Sequence, residues 1–443
     1  MASTYLQRTF STPTSRKIFT VSLWFKRASL GSTQNLFGNG TGTNTDGFGL
    51  IDFLSDDRFR VTETPDYATS NYDVYTSRKF RDTSAWYHVV VAMDTTQATA
   101  SNRIKIYTNG QLETSLDSAS YPSLNLDTKI TLNNSHIIGR RVNSATDYFN
   151  GNMAHYHFID GTAYDASAFG QTDATSGIWK PILSPSVTYG NNGFFLQFAN
   201  SASLGTDSSG NANNFTLSGS GTQTLDTPSN VFATLNPLNK ADLTYAYGNN
   251  EITNSTASHN GTQATLAVNS GKWYWETKYI DGATTKAMAG ISIVTETIGN
   301  NLVGGTANSY GYYRANGQKY NNGSGTAYGT TPSNGSIIGV AFDADNGTLW
   351  FSLNGVWQNS ATISEIENGT TTNSAFSGIS MSDYYAPACS AENSSVQTNF
   401  GNGYFGTTAV ATPESDSAGI GKFEYSVPSG YYALCTKNIA TYG

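Results

Sequence analysis

The chain has 443 residues and a formal net charge of −8, too long for one ordinary sandwich domain and too acidic to favour a phosphate backbone. Charged residues make up only 13%, about half the usual share, so Ser, Thr, Asn and Gly must carry much of the solubility. Aromatic residues also reach 13%, and together with 44 glycines they suit pleated sheets joined by tight turns rather than helical bundles.

Period-two alternation sets in early. In Lys17–Lys26 the residues Phe19, Val21, Leu23 and Phe25 fall on one face, and Asp57–Thr62 alternates as a half-buried strand should. Trp86–Met93 is nearly continuous in apolar residues and predicts a central strand. Arg103–Tyr107 alternates again and runs into Asn109-Gly110, a dipeptide that favours a type I′ hairpin turn. Met153–Ile159 predicts a further strand closed by Asp160-Gly161, with Met153, His155, His157 and Ile159 on one face. Asp165 is placed to cap a short turn over Ala166–Phe169, ended by Gly170.

Residues 171–235 contain one clear strand, Phe194–Phe198, then a turn-rich loop over Gly205–Asn214. Ser218–Gly221 and Asp226–Asn230 read as a connector, which places a domain boundary between about 225 and 245. Beyond it, Lys272–Tyr279, Ser336–Asp343 and Gly347–Leu353 are strand-like, and Asn354-Gly355 closes a hairpin onto Val356–Gln358. Each half has an apolar strand ending in Asp (Asp94, Asp343), a short loop, a strand, Asn-Gly and a return strand. No segment keeps a 3.6-residue apolar stripe, so the expected class is all-β: two tandem antiparallel β-sandwich (jelly-roll) domains, 1–235 and 236–443.

The basic clusters Arg78-Lys79-Phe80-Arg81 and Arg140-Arg141 are too local to form a nucleic-acid stripe and read as strand ends or subunit contacts. Cys389 and Cys435 have neither metal spacing nor a disulfide framework and read as small core residues. The N-terminus shows no signal-peptide pattern, and no run approaches the roughly 18–20 apolar residues that span a bilayer, so synthesis in a cytoplasm without membrane insertion is expected.

The first half resembles concanavalin A-like lectin/laminin G-type sandwiches, through Phe19–Lys26, Trp86–Val91, Ile104–Gly110 and Phe149–Phe158. Phe158–Ala163, Phe169-Gly170, Gly177–Pro181 and the loop Asp207–Asn211 are similar to segments of bacteriophage virion proteins carrying this module. The second half resembles SPRY (B30.2-type) domains. The residues that carry this are Gly271–Glu276, Ala289–Ser292, Ile338–Asp343, Gly347–Phe351, Asn354-Gly355, Pro387-Ala388 and Asn399–Gly401. The resemblance implies a structural protein on a phage virion surface, in a tail fibre, tail tip or head appendage. Its implied partners are other virion proteins, further copies of itself (a trimer being one such assembly) and a host-surface glycan.

A retaining glycosidase needs two carboxyl groups about 5–5.5 Å apart, which Glu-x-Asp-x-Glu on one strand would supply. No such triplet occurs, and Glu365-Ile366-Glu367, the nearest pair, reads as a solvated loop; no catalytic residue is assigned. A polysaccharide-cleaving enzyme of the same sandwich class is the alternative function. His155 and His157 have a spacing two metal ligands could use, but packing among aromatics is the better expectation. No cofactor is expected unless Ca²⁺ is held. Laminin G-type relatives imply loop carboxylates as ligands, which makes Asp207 and Asn211 the candidate pair, set against a simple Asx turn. Tyr310, Tyr312 and Tyr313 are expected to crowd one loop and Tyr384 and Tyr385 another. The SPRY resemblance places such loops beside the partner face, where a tyrosine stacks on a ligand while its hydroxyl hydrogen-bonds.

Overall fold

Alternation of side chains along the strands decides the architecture, seen here in a computed structural model that describes every residue except 1–3, 41–46, 66–68, 143, 240, 241, 281 and 285. The chain divides into two compact units, Met1–Gln223 and Thr224–Gly443, and each is a pair of large antiparallel sheets.

In the first unit an eight-stranded sheet runs in the order Leu116–Ser120, Tyr72–Lys79, Arg58–Thr64, Phe48–Phe53, Gln34–Asn39, Ser135–Ile138, Tyr5–Thr9, Thr216–Ser218. Its partner has six strands: Phe194–Leu196, Gly151–Asp160, Ile18–Arg27, Tyr87–Asp94, Ile104–Thr108, Gln111–Leu112. Phe19, Val21, Leu23 and Phe25 join Phe59, Val61, Ile104 and Ile106 in one buried core, as their period-two spacing predicts. Asn109 and Gly110 both take positive φ, 48° and 84°, the type I′ geometry expected of that dipeptide.

The strand Gly151–Asp160 departs from the sequence expectation. Its register against Ile18–Arg27 slips by one residue between Ala154 and His157, and His155 has φ 45°. This β-bulge reverses the parity of the strand. Met153 packs towards the central core before it, Tyr156 and Phe158 do so after it, and Ile159 is carried to the outer face with Val90 and Phe169. Met153 and Ile159 therefore do not share a face. The predicted short turn forms as a 3₁₀ helix over Ala166–Ala168, where the Asp165 carboxylate accepts the Ser167 N–H at 2.9 Å.

In the second unit one sheet has the path Thr244–Ala246, Glu251–Asn254, Ser394–Asn399, Lys272–Ile280, Ile337–Asp343, Thr348–Leu353, Val356–Trp357, with Tyr432–Ala433 also pairing with Lys272–Ile280. The other sheet runs Asn260–Gln263, Tyr385–Glu392, Lys286–Ile293, Ser309–Tyr313, Gln318–Asn321, Ser324–Ala327. Trp273, Trp275, Tyr279, Val340, Phe342, Leu349 and Phe351 fill the space between them. The opposite face of the first sheet is not left to solvent. Tyr274, Ala341 and Trp350 are buried there with Phe423, Tyr431, Ala433 and Cys435 from the C-terminal segment. The echo between the halves is retained: Tyr87–Asp94 and Ile337–Asp343 each pair with the next strand, which turns through Asn-Gly onto a two-residue return strand.

Two expectations are corrected here. Residues 224–235 belong with the second unit rather than with a connector of the first. Phe232 and Leu235 are 1% exposed in its cores, the Asp226 carboxylate accepts the Phe232 N–H, and the Asn230 amide oxygen accepts the Lys437 N–H. Turn-forming residues were misleading, because the turn is packed rather than free. Glu365 and Glu367 lie not in a solvated loop but on a short helix, Ile363–Glu367, closed by a capping box between Thr362 and Glu365 with Ile366 buried beneath. Cys389 and Cys435 are free and buried.

Candidate functional site

The five tyrosines do not form the expected platform. Tyr310, Tyr312 and Tyr313 lie on the strand Ser309–Tyr313, not on a loop, and alternation separates them. Tyr312 is fully buried, stacked on Phe351 at 5.5 Å, with its hydroxyl donating to the Thr330 carbonyl. Tyr310 meets Phe376 edge-on at 5.1 Å and Tyr385 at 6.3 Å, and Tyr385 is itself 2% exposed at the start of the strand Tyr385–Glu392. Tyr313 faces the other side, against Tyr320 and His259. Only Tyr384 of the five is largely exposed, beside Val294, whose N–H donates to the Tyr384 carbonyl. The alternation Tyr-x-Tyr was the available signal of a strand. A dense cluster of rings suggested a surface where the fold had made a core.

Asp207 and Asn211 are brought into one loop, but their polar atoms are used internally. The Asp207 carboxylate accepts the N–H groups of Phe195, Ser209 and Asn213 and the Ser209 hydroxyl, each at 2.8 Å. The Asn211 amide nitrogen donates to the carbonyls of Gly190 and Gly193. Four donors on one carboxylate make the Asx turn that closes this loop. Among the described residues no group of three His, Cys, Asp or Glu side chains is disposed to hold a metal ion.

His88, His155 and His157 pack among aromatic rings on the six-stranded sheet of the first unit. His88 lies between Trp24 at 4.7 Å and Trp179 at 6.1 Å; its Nδ1 accepts the Trp179 indole N–H at 3.0 Å, which leaves Nε2 to donate to the Ser22 hydroxyl at 2.9 Å. His157 stacks on Phe195 at 3.9 Å. Burial holds the His88 imidazolium down to about 3, with His155 adding a smaller repulsion. These rings stay neutral, as packing residues.

A concavity of another character opens at one end of the second unit. A groove of about 260 Å³ is lined by Thr253, Asn254, Ser255, Gly282, Ala283, Asn393, Ser394 and Ser395. Thr253 and Asn254 end the strand Glu251–Asn254 and Ser255 follows it, while Asn393, at φ 44°, leads into Ser394 and Ser395 at the start of the strand Ser394–Asn399. Asn254 is the pillar of the site. Its amide donates to the carbonyls of Ser258 and Ala391 and accepts the Thr256 N–H, while the hydroxyls of Thr253 and Ser395 meet at 2.8 Å across the strand pair. The lining is hydroxyl, amide and backbone, without an ionisable side chain. Such a lining offers neutral hydrogen-bonding groups of the kind that suit a polyhydroxylated ligand. Isolated Ser, Thr and Asn residues from three turns carry no sequence signal, so this site was not legible beforehand.

Comparison with known proteins gives the two units their families. Residues 2–166 match the model of the concanavalin A-like lectin/glucanases superfamily, and residues 272–403 match the SPRY domain. The chain joins a concanavalin A-like domain to a SPRY domain. Among solved structures, the crystal structure of the SPRY domain of human HERC1 matches at 17% identity, covering 37% of this chain and 96% of that chain with a TM-score of 0.29. No curated protein matches.

The SPRY match ends at residue 403, yet the SPRY unit continues to Gly443, and its added segment is pinned by two carboxylates. Asp416 accepts the N–H groups of Ile420, Gly421 and Ala433 and the Asn438 amide. Glu276, fully buried on the central strand, accepts the N–H groups of Glu424 and Tyr425, both at 2.9 Å, with the Tyr274 hydroxyl and the Asn399 amide completing its shell. Burial raises the Glu276 carboxyl to about 7, against the opposing pull of those hydrogen bonds. The acidic pair weighed for catalysis is likewise structural: Glu365 caps its helix and accepts the Asn373 amide, and Glu367 accepts the Ser429 N–H. Among the described residues no helix is long and apolar enough to cross a membrane.

Proposed function

We propose that this chain is a non-enzymatic structural protein of a phage virion surface, in a tail or head appendage, that contributes to assembly and recognises a host-surface glycan. The observation that carries the recognition is the groove of about 260 Å³ walled by Thr253, Asn254, Ser255, Asn393, Ser394 and Ser395. Its neutral donors and acceptors suit sugar hydroxyls and supply nothing to protonate or attack a glycosidic bond. Support for the virion setting comes from the joining of two binding-type sandwiches in one chain and from the phage-like segments Phe158–Ala163 and Gly177–Pro181.

The test has two arms. Mass spectrometry of purified phage particles is expected to find the chain as a stoichiometric component; its absence from particles overturns the virion role. A glycan array probed with the purified protein is expected to register binding without release of reducing sugar. Release of reducing ends from host envelope polysaccharide would replace this reading with the enzymatic one.

A further inference from the structure

The six-stranded sheet of the SPRY unit ends in an open strand, Ser324–Ala327, in which all four residues are exposed. It pairs with Gln318–Asn321 through a two-residue turn at Asn322-Gly323, whose φ values of 51° and 71° make it type I′. In such a hairpin Asn321 and Ser324 form the hydrogen-bonded pair beside the turn. Alternation then points the N–H and C=O of Gly325 and Ala327 away from the sheet. They meet no backbone or side-chain partner among the described residues.

The opposite edge of the same sheet is handled differently. On Asn260–Gln263 the Gly261 N–H bonds the Gly299 carbonyl and the Gln263 carbonyl takes the Asn236 N–H. Edges are also commonly guarded by charge or proline, and Ser-Gly-Thr-Ala has neither. Between Glu296 and Asp343 the only charged residues are Arg314, which is 1% exposed, and Lys319, whose ammonium donates inward to the Ala375 carbonyl. A chain of net charge −8 has thus kept its acids off this region.

We propose that Ser324–Ala327 pairs antiparallel with the same strand of a second copy of this chain, joining two six-stranded sheets across a two-fold axis at Thr326. The strand is its own complement. With Thr326 opposite Thr326 of the other copy, Gly325 faces Ala327 and Ala327 faces Gly325, and each facing pair exchanges two N–H···O=C bonds. Small side chains let the backbones approach, and Gly325 is already crowded by the Tyr320 ring, which a Cβ there would meet at 2.6 Å. The same small side chains present no pocket with which to select a foreign strand, so a second copy is the occupant that fits. Four residues bury far less than the roughly 1,600 Å² of a standard interface, so the pairing is a weak contact suited to repeated copies held close together.

Sedimentation equilibrium of the full chain, from about 1 to about 300 µM, tests this. The wild type is expected to shift from one chain to two with concentration. Thr326→Lys and Thr326→Glu, on an exposed residue, each place like charges face to face and are expected to raise the dissociation constant at least about tenfold, while an equimolar mixture of the two re-forms the dimer. Ala327→Pro removes an outward N–H without touching the hairpin's own bonds and is expected to leave a folded monomer. A single-chain mass at every concentration overturns the proposal. So does any oligomer, a trimer included, whose mass is unchanged in both charged variants.

Discussion

The carboxylate of Glu276 accepts the backbone N–H of Tyr425 at 2.9 Å, closing a contact between residues 149 apart in sequence. It ties the C-terminal segment to the outer face of the SPRY sheet with a buried acid, and that has a consequence for pH. The folded-state value of about 7 lies above the ordinary 4.5, so the folded unit holds an extra proton between these values. Its stability should fall as pH rises from about 4.5 to about 7 and then level off, a change of about 3 kcal/mol at most. Glu251, raised by burial, adds in the same direction; His259, held down by burial despite Glu392, acts oppositely and only below its ordinary value of 6.5. Chemical denaturation of the second unit between pH 5 and pH 8 checks the slope. Glu276→Gln should flatten it while costing about 1–2 kcal/mol at low pH, since an amide nitrogen would then face an N–H donor.

The concanavalin A-like unit should respond with the opposite sign. His88 and His136 are held neutral by burial, down to about 3 and about 4, below the ordinary 6.5. The unfolded chain takes up those protons first, so their stabilising contribution is whole above pH 6.5 and is lost as pH falls through the folded values. At pH 5 each costs about 2 kcal/mol. Protonating His88 also turns its Nδ1 into a donor facing the Trp179 N–H, so tryptophan fluorescence should report the loss. Calorimetry should show the transitions of the two units moving in opposite directions between pH 8 and pH 5; parallel movement would contradict both assignments.

Blocking the polar groove should abolish glycan binding without harming the fold. Ser255 is exposed at its rim, and Ser255→Trp places a large ring into a space of about 260 Å³. At least a tenfold loss of glycan-array signal, with an unchanged melting temperature, is expected. Retained binding would move the recognition surface elsewhere, to the exposed pair Val294 and Tyr384 in the first instance.

The bulge at His155 offers a backbone test. At φ 45° glycine is unstrained and a β-branched residue is not. His155→Val should destabilise the first unit by about 2 kcal/mol, whereas His155→Gly should lose little beyond the ring contact with Phe195, as read by urea denaturation.

The split between what could be read in advance and what could not follows range of interaction. Phe19, Val21, Leu23 and Phe25 announced a strand face, and Asn109-Gly110 and Asn354-Gly355 announced hairpins, because these depend on neighbours two residues apart. The tyrosine cluster was misplaced since Tyr312 and Tyr385 are buried by Phe351 and Phe342, partners remote in sequence. Parity along Met153–Ile159 failed at a bulge that depends on pairing with Ile18–Arg27. The connector at 226–230 failed because its turn docks on Lys437.

Local chemistry by itself thus determined an all-β chain of two sandwiches with few charges and a low pI, because strand alternation and turn propensity are written residue by residue. The tertiary structure alone decided which tyrosines are core, how Asp207 spends its oxygens, where the neutral groove opens and which strand is left without a neighbour. Each of those is a matter of register and burial, set by residues that meet only once the sheets have closed.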